Sequence, residues 1–225
     1  MQTIIEQCIA FVKLTLNRAE SGHDWWHVYR VWQNSIVINK EEKEDSEIVE
    51  VAALLHDIAD AKFHNGDETL GSKISYDFLI GTKMHSSKID EVVKIVDNIS
   101  FRGGFAKNIY QSMALNIVRD ADKLDAIGAI GIARTFSYGG YKNRVMFDPK
   151  ISPTEYKTAS EYRKNENPTI NHFYEKLLKL KDSMATETGK QLAKQRHQFM
   201  LSYLEQFFNE WPEAVPNHFN FDIYQ

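Results

Sequence analysis

Residues 51–60 read VAALLHDIAD, an apolar run of Val51, Ala52, Leu54, Leu55 and Ile58 with His56 and Asp57 set directly against it. On a helix His56 and Asp57 lie about 100° apart, and Asp60 follows His56 by one turn. Three polar groups then share one sector while apolar side chains fill the others. A helix of this kind is buried on most sides, and a buried charge needs a partner or a metal ion.

Working outward, the first segment spaces Ile4, Ile5, Cys8, Ile9, Val12 and Leu16 by threes and fours, the signature of one helix face. Similar periodicity predicts helices over 24–39, 45–58, 69–80, 87–99, 111–124, 125–136, 169–180 and 186–208. Asp24, Asp45, Ser87 and Thr169 are suitable N-caps. No alternating β-branched run bounded by hairpin turns occurs, so strands are not expected. The expectation is an all-α bundle of about eight or nine helices, with one long irregular loop over 139–168. That loop carries Lys142, Arg144, Lys150, Lys157, Arg163 and Lys164. Loops longer than about 12–15 residues are usually functional or disordered, so it is a candidate lid or a solvated insertion.

The chain has 225 residues, 43% hydrophobic and 26% charged, ordinary values for one globular domain spanning 1–225. No Pro/Gly/Ser-rich linker or fixed-period repeat divides it. Lys and Arg number 27 against 31 acidic residues, a net charge of −4. Polymeric nucleic acid is therefore not an expected partner, although a local basic patch can hold a small phosphorylated molecule. The single cysteine, Cys8, reads as a buried helix residue and fits a reducing compartment. Glu6 and Lys13 interrupt the first apolar stretch, unlike a secretory signal. No run approaches the roughly 18 apolar residues of a membrane span. A soluble cytoplasmic protein without membrane contact, monomeric or homodimeric, is expected.

Two further stretches add chemistry to His56 and Asp57. GHDWWHVYRVW at 22–32 sets His23 and His27 one turn apart on a predicted helix, and VRDADKLDAIGAIGIARTF at 118–136 puts Asp122 in an apolar helical pattern. Two imidazoles and two carboxylates from three helices suit a divalent transition metal.

The order of His27, His56-Asp57 and Asp122 within HVYRV, LLHDI and DADKLDAIGA resembles the HD-domain superfamily of metal-dependent phosphohydrolases. HDWWHVYRVW, IARTFSYGG and TINHFYEKLLKLKDSMATETGK resemble a bacterial branch whose members cleave nucleoside triphosphates. The resemblance runs from about Asp24 to Trp211. It implies that His27, His56, Asp57 and Asp122 bind one divalent ion, manganese first, with iron, cobalt, nickel or magnesium as alternatives. It implies also a small phosphate ester or anhydride as substrate, with a nucleotide first, and an acidified water attacking phosphorus.

Asp60 matches a position where related enzymes keep an acid that orients or relays from water; a surface carboxylate beside Lys62 is the alternative. Arg30, one turn after His27, and Lys123, next to Asp122, are candidates for neutralising transferred phosphoryl charge. Arg102 and Lys107, in SFRGGFAKN at 100–108, are candidate phosphate contacts; a plain glycine turn explains them as well. Arg134, Tyr138, Lys142 and Arg144 are candidate pocket residues, Tyr138 by stacking on a base or by core packing. Of Trp25 and Trp26, one is expected to pack inward. His23, His64 and His85 remain over; His64 or His85 is a candidate ligand for a second ion, with one ion favoured. A metal- and nucleotide-binding sensor without turnover, another phosphodiesterase, and a two-iron oxygenase are the competing readings.

Overall fold

The computed structural model describes residues 2–17, 23–59, 69–99, 110–156, 158, 161, 165–214, 216–220 and 224. Among them the chain is all-helical, with no strand. Nine α-helices form: α1 Ile4–Thr15, α2 Trp25–Glu42, α3 Ser46–Leu55, α4 Leu70–Leu79, α5 Ser86–Asn98, α6 Met113–Asp125, α7 Gly128–Tyr141, α8 Asn171–Glu175 and α9 Glu187–Glu210. Two 3-10 helices, Leu177–Ser183 and Asn217–Phe219, are also found among the described residues. No described helix is long and apolar enough to cross a membrane.

Backbone contacts divide the described residues into one unit up to Asp122 and another from Lys123 onward. In the first, α3 packs against α1, α2 and α5, and α5 against α4. This central position is why Val49 and Val51 to Leu55 are all buried: a helix enclosed by neighbours has no face to leave polar. Cys8 is buried in α1, where desolvation pushes its thiol up to about 12. Helix starts are locally specified. Thr3 and Glu6 form a reciprocal capping box on α1, and the Asp45 carboxylate accepts from the Glu47 and Ile48 amides at 3.0 and 3.3 Å.

In the second unit α9 packs against α7 and the 3-10 helix Leu177–Ser183. Phe147 anchors an aromatic cluster, its ring centroid 4.9 Å from those of Trp211 and Phe219 and 5.5 Å from Phe208. Glu175 of α8 is buried and accepts from the Thr154 amide at 3.1 Å and from the Asn165 and Asn167 side-chain amides at 2.8 and 2.7 Å. These bonds pin the described part of the long basic loop to α8.

Some boundaries depart from expectation. The helix begun at Asp45 ends at Leu55, where the Ile58 amide donates to the Leu55 carbonyl at 3.2 Å and tightens the chain into a turn. The helix expected over 169–180 breaks at Lys176, at φ −140°, into α8 and a 3-10 helix. Helix α7 continues through Gly139 and Gly140. His85, not Ser87, caps α5, and Thr169 makes no cap.

Candidate metal centre

The Asp24 carboxylate caps α2 by accepting from the His27 amide at 3.0 Å, which puts His27 in the first helical turn with a side chain only 2% exposed. His23 precedes this cap, so it is not on the helix as the sequence reading had it. His56 and Asp57 lie just beyond the end of α3, on a turn instead of on the helix. There the His56 Nδ1 meets the Ala53 carbonyl at 2.8 Å. A carbonyl only accepts, so Nδ1 carries the proton and Nε2 presents a lone pair.

That Nε2 lies 3.2 Å from Nε2 of His27. One ligand atom from each of His27, His56 and Asp57 falls within 4.8 Å of the others, a group able to hold a metal ion. Asp122 joins from α6: its Oδ1 is 3.6 Å from His27 Nε2 and 3.9 Å from His56 Nε2, and its side chain is 38% exposed. The Asn34 side-chain amide reaches the Ala121 carbonyl at 3.3 Å and ties α2 to α6 beside it.

The donor set fits a divalent ion. Two nitrogens about 2.1 Å from an ion and at right angles would stand about 3.0 Å apart, close to the separation found. Two imidazoles suit transition metals, and two carboxylates offset the charge.

His23 is the partner that sequence reasoning left without a role. Its Nδ1 is 2.6 Å from Asp57 Oδ2, while that oxygen is 3.8 Å from His27 Nε2. Burial pushes the Asp57 carboxyl up, but the His23 hydrogen bond and the attraction of His23, His56 and His27 outweigh it and hold it at about 2. The signal was the GHDWWH spacing, in which His23 stands one residue before the cap and four before His27.

The remaining candidates fall elsewhere. Arg30 is partly buried in α2. The Lys123 ammonium donates to the Ser183 carbonyl. Arg134 is paired with Asp125, Nη1 to Oδ2 at 2.6 Å. Tyr138, Lys142 and Arg144 do come together: Lys142 Nζ is 5.6 Å and the Arg144 guanidinium carbon also 5.6 Å from the Tyr138 ring centroid. His85 is committed as the α5 cap. Trp25 lies under the Lys13 ammonium, 4.6 Å from its ring centroid, and Trp26 is exposed. Asp60, His64, Arg102 and Lys107 lie outside the described residues.

Residues 25–127 match the family model described as the HD domain. The chain is 38% identical over 209 residues to the Bacillus subtilis protein YpgQ, itself described as uncharacterized, with 92% of this chain and 93% of that one covered. It belongs to the HD-domain family. Among solved structures, a Bacillus thuringiensis HD-superfamily hydrolase is 43% identical, with TM-score 0.74 over 93% of this chain and 97% of that one. YpgQ in complex with ADP is 33% identical, with TM-score 0.73 over 94% and 96%. An HD-domain hydrolase is the coarse class these relatives support.

Proposed function

We propose that the chain is a metal-dependent phosphohydrolase cleaving a phosphate ester or anhydride bond of a nucleotide, a nucleoside or deoxynucleoside triphosphate first. The observation that carries this reading is the approach of the His27 and His56 Nε2 atoms to 3.2 Å beside two carboxylates. His27, His56, Asp57 and Asp122 would hold one divalent ion, manganese first. Such an ion, when bound, polarises a phosphoryl oxygen and acidifies a water.

The protein's own residues prepare the rest. Ala53 fixes the His56 tautomer so that its lone pair faces the site. His23 holds the Asp57 carboxylate ionised and oriented. Arg30, one helical turn after His27, offers a guanidinium for charge spreading over the transferred phosphoryl oxygens. Within the second unit by itself, Tyr138, Lys142 and Arg144 combine a half-exposed ring with two cations, a surface suited to a base and its phosphates. The ADP complex of YpgQ supports a nucleotide as the ligand class.

The test is to strip the protein with chelator, restore manganese, and measure phosphate and pyrophosphate release from a panel of nucleotides. Release that requires the ion and disappears in His56→Ala is expected. A nucleotide that raises the melting temperature yet is recovered intact under every ion identifies a sensor and overturns the hydrolytic reading.

A further inference from the structure

His23 lies outside every helix and is not one of the four ligand positions, yet its ring touches two of them. Its Nδ1 stands 2.6 Å from Asp57 Oδ2, and its ring centroid is 5.9 Å from that of His27, edge to face at 70°. A carboxylate oxygen only accepts, so the proton of the first contact sits on Nδ1. A hydrogen bond to an ionised oxygen is roughly twice as strong as a neutral one, and here both side chains are largely shielded from water. The ring is also fixed from its own backbone. Asp24, the next residue, caps α2 by accepting from the His27 amide at 3.0 Å, so the chain leaves the helix start in a set direction.

The oxygen that His23 holds is the one turned toward the cluster, since the same Oδ2 lies 3.8 Å from His27 Nε2. One lone pair of Oδ2 is taken up by His23, and the plane of the carboxylate is set by that bond. For Asp57 to turn and offer both oxygens to one ion, the His23 bond must stretch or break. Asp57 is thereby held as a donor of one oxygen. Ions differ in what they require of a carboxylate. Calcium gathers about six to eight oxygens and often grips both oxygens of one carboxylate, whereas a transition ion accepts imidazole nitrogens and a single carboxylate oxygen.

We propose that His23 is a positioning residue that sets which ion the cluster takes, favouring a transition ion over calcium by holding Asp57 to one cluster-facing oxygen. This rests on the metal centre of the reading above and not on hydrolysis. The contribution is distinct from that of the two ligand imidazoles: His27 and His56 offer nitrogen, while His23 denies the second oxygen. Removing a side chain that orients a ligand typically costs about 10–100-fold in metal affinity. Calcium should lose much less, because the freed carboxylate can then offer it both oxygens.

The experiment is isothermal titration calorimetry on the full chain, stripped with chelator and then freed of it, with manganese and calcium chlorides as separate titrants. In His23→Ala, manganese binding is expected to weaken at least tenfold and calcium binding by no more than about threefold, so the preference for manganese narrows. In His23→Asn, whose side-chain amide places a donor where Nδ1 stands, manganese binding should return to within about threefold of the wild type. Equal losses of both ions in His23→Ala, manganese binding there within twofold of the wild type, or an asparagine variant no better than the alanine one overturns the proposal. A wild type that binds neither ion overturns it together with the metal centre. A wild type and variants that follow the expected selectivity while no nucleotide is cleaved overturn the hydrolytic reading and still support this role for His23.

Discussion

Arg134 offers a choice between two roles that one substitution separates. In the second unit its guanidinium donates to Asp125 Oδ2 at 2.6 Å and to the Asp125 carbonyl at 3.2 Å. The Asp125 side chain is 2% exposed against 24% for Arg134, so truncating the arginine leaves a buried carboxylate behind. Breaking a buried pair from one side typically costs about 3–5 kcal/mol. Arg196 also attracts Asp125 and donates to the neighbouring Leu124 carbonyl, which offsets part of that loss. For Arg134→Ala we therefore expect about 2–3 kcal/mol of destabilisation, a fall in Tm of roughly 5–10 °C for a chain of this size. Asp125→Asn should cost less, because the freed guanidinium reaches water. The two together should be less harmful than the sum by about 1 kcal/mol or more in a double-mutant cycle followed by urea denaturation. An Arg134→Ala protein that melts within about 2 °C of the wild type, yet loses nucleotide turnover, would refute the structural role and return Arg134 to the substrate.

Other expectations follow from single sites. His56→Ala should lose metal retention, read by elemental analysis after gel filtration, whereas Asp60→Ala should keep the ion and lose rate; loss of metal in the second variant would make Asp60 a ligand or its support. In Gly131→Ala the new Cβ would stand 2.2 Å from the Ala126 carbonyl oxygen, a backbone atom, so a loss of about 3 kcal/mol is expected in chemical denaturation. His172 is held down to about 3 by burial and by the charges of Lys176 and Arg144. Its folded value lies below its unfolded one, so the unfolded chain gains the extra proton and stability falls as pH drops below about 6.5, at up to about 1.4 kcal/mol per pH unit. His172→Gln should therefore lose less stability than the wild type between pH 7 and pH 5; parallel Tm curves would contradict this.

Helix periodicity made the first unit legible, because its helices are long and Asp24 and Asp45 announce two of their starts. The cluster was legible for the same reason: three short motifs each carry a ligand type into an apolar pattern. The end of α3 was not, since neither glycine nor proline follows Leu55. The stop comes from the His56 ring bonding back to Ala53 and from the Ile58 amide closing a tighter turn. The break after Glu175 was equally hidden, because it follows from bonds to Thr154, Asn165 and Asn167, distant in sequence. Gly139 and Gly140 read as a helix end, yet Gly139 is there to let Thr169 approach: a Cβ would meet its Oγ1 at 2.2 Å. His23 was noticed but left without a role, because its contact is with Asp57, 34 residues away.

The tether from His56 Nδ1 to Ala53 ties the ring that would face an ion to the last turn of the helix before it. When that turn frays, the ring loses its orientation, so an ion bound at Nε2 would hold the backbone shut as well. At an ion concentration 100 times Kd, binding adds about 2.7 kcal/mol to any opening that releases the ion. The amide of Ile58, bonded to Leu55, would then exchange with solvent about a hundredfold more slowly, so that a backbone proton two residues away reports on occupancy at a side chain.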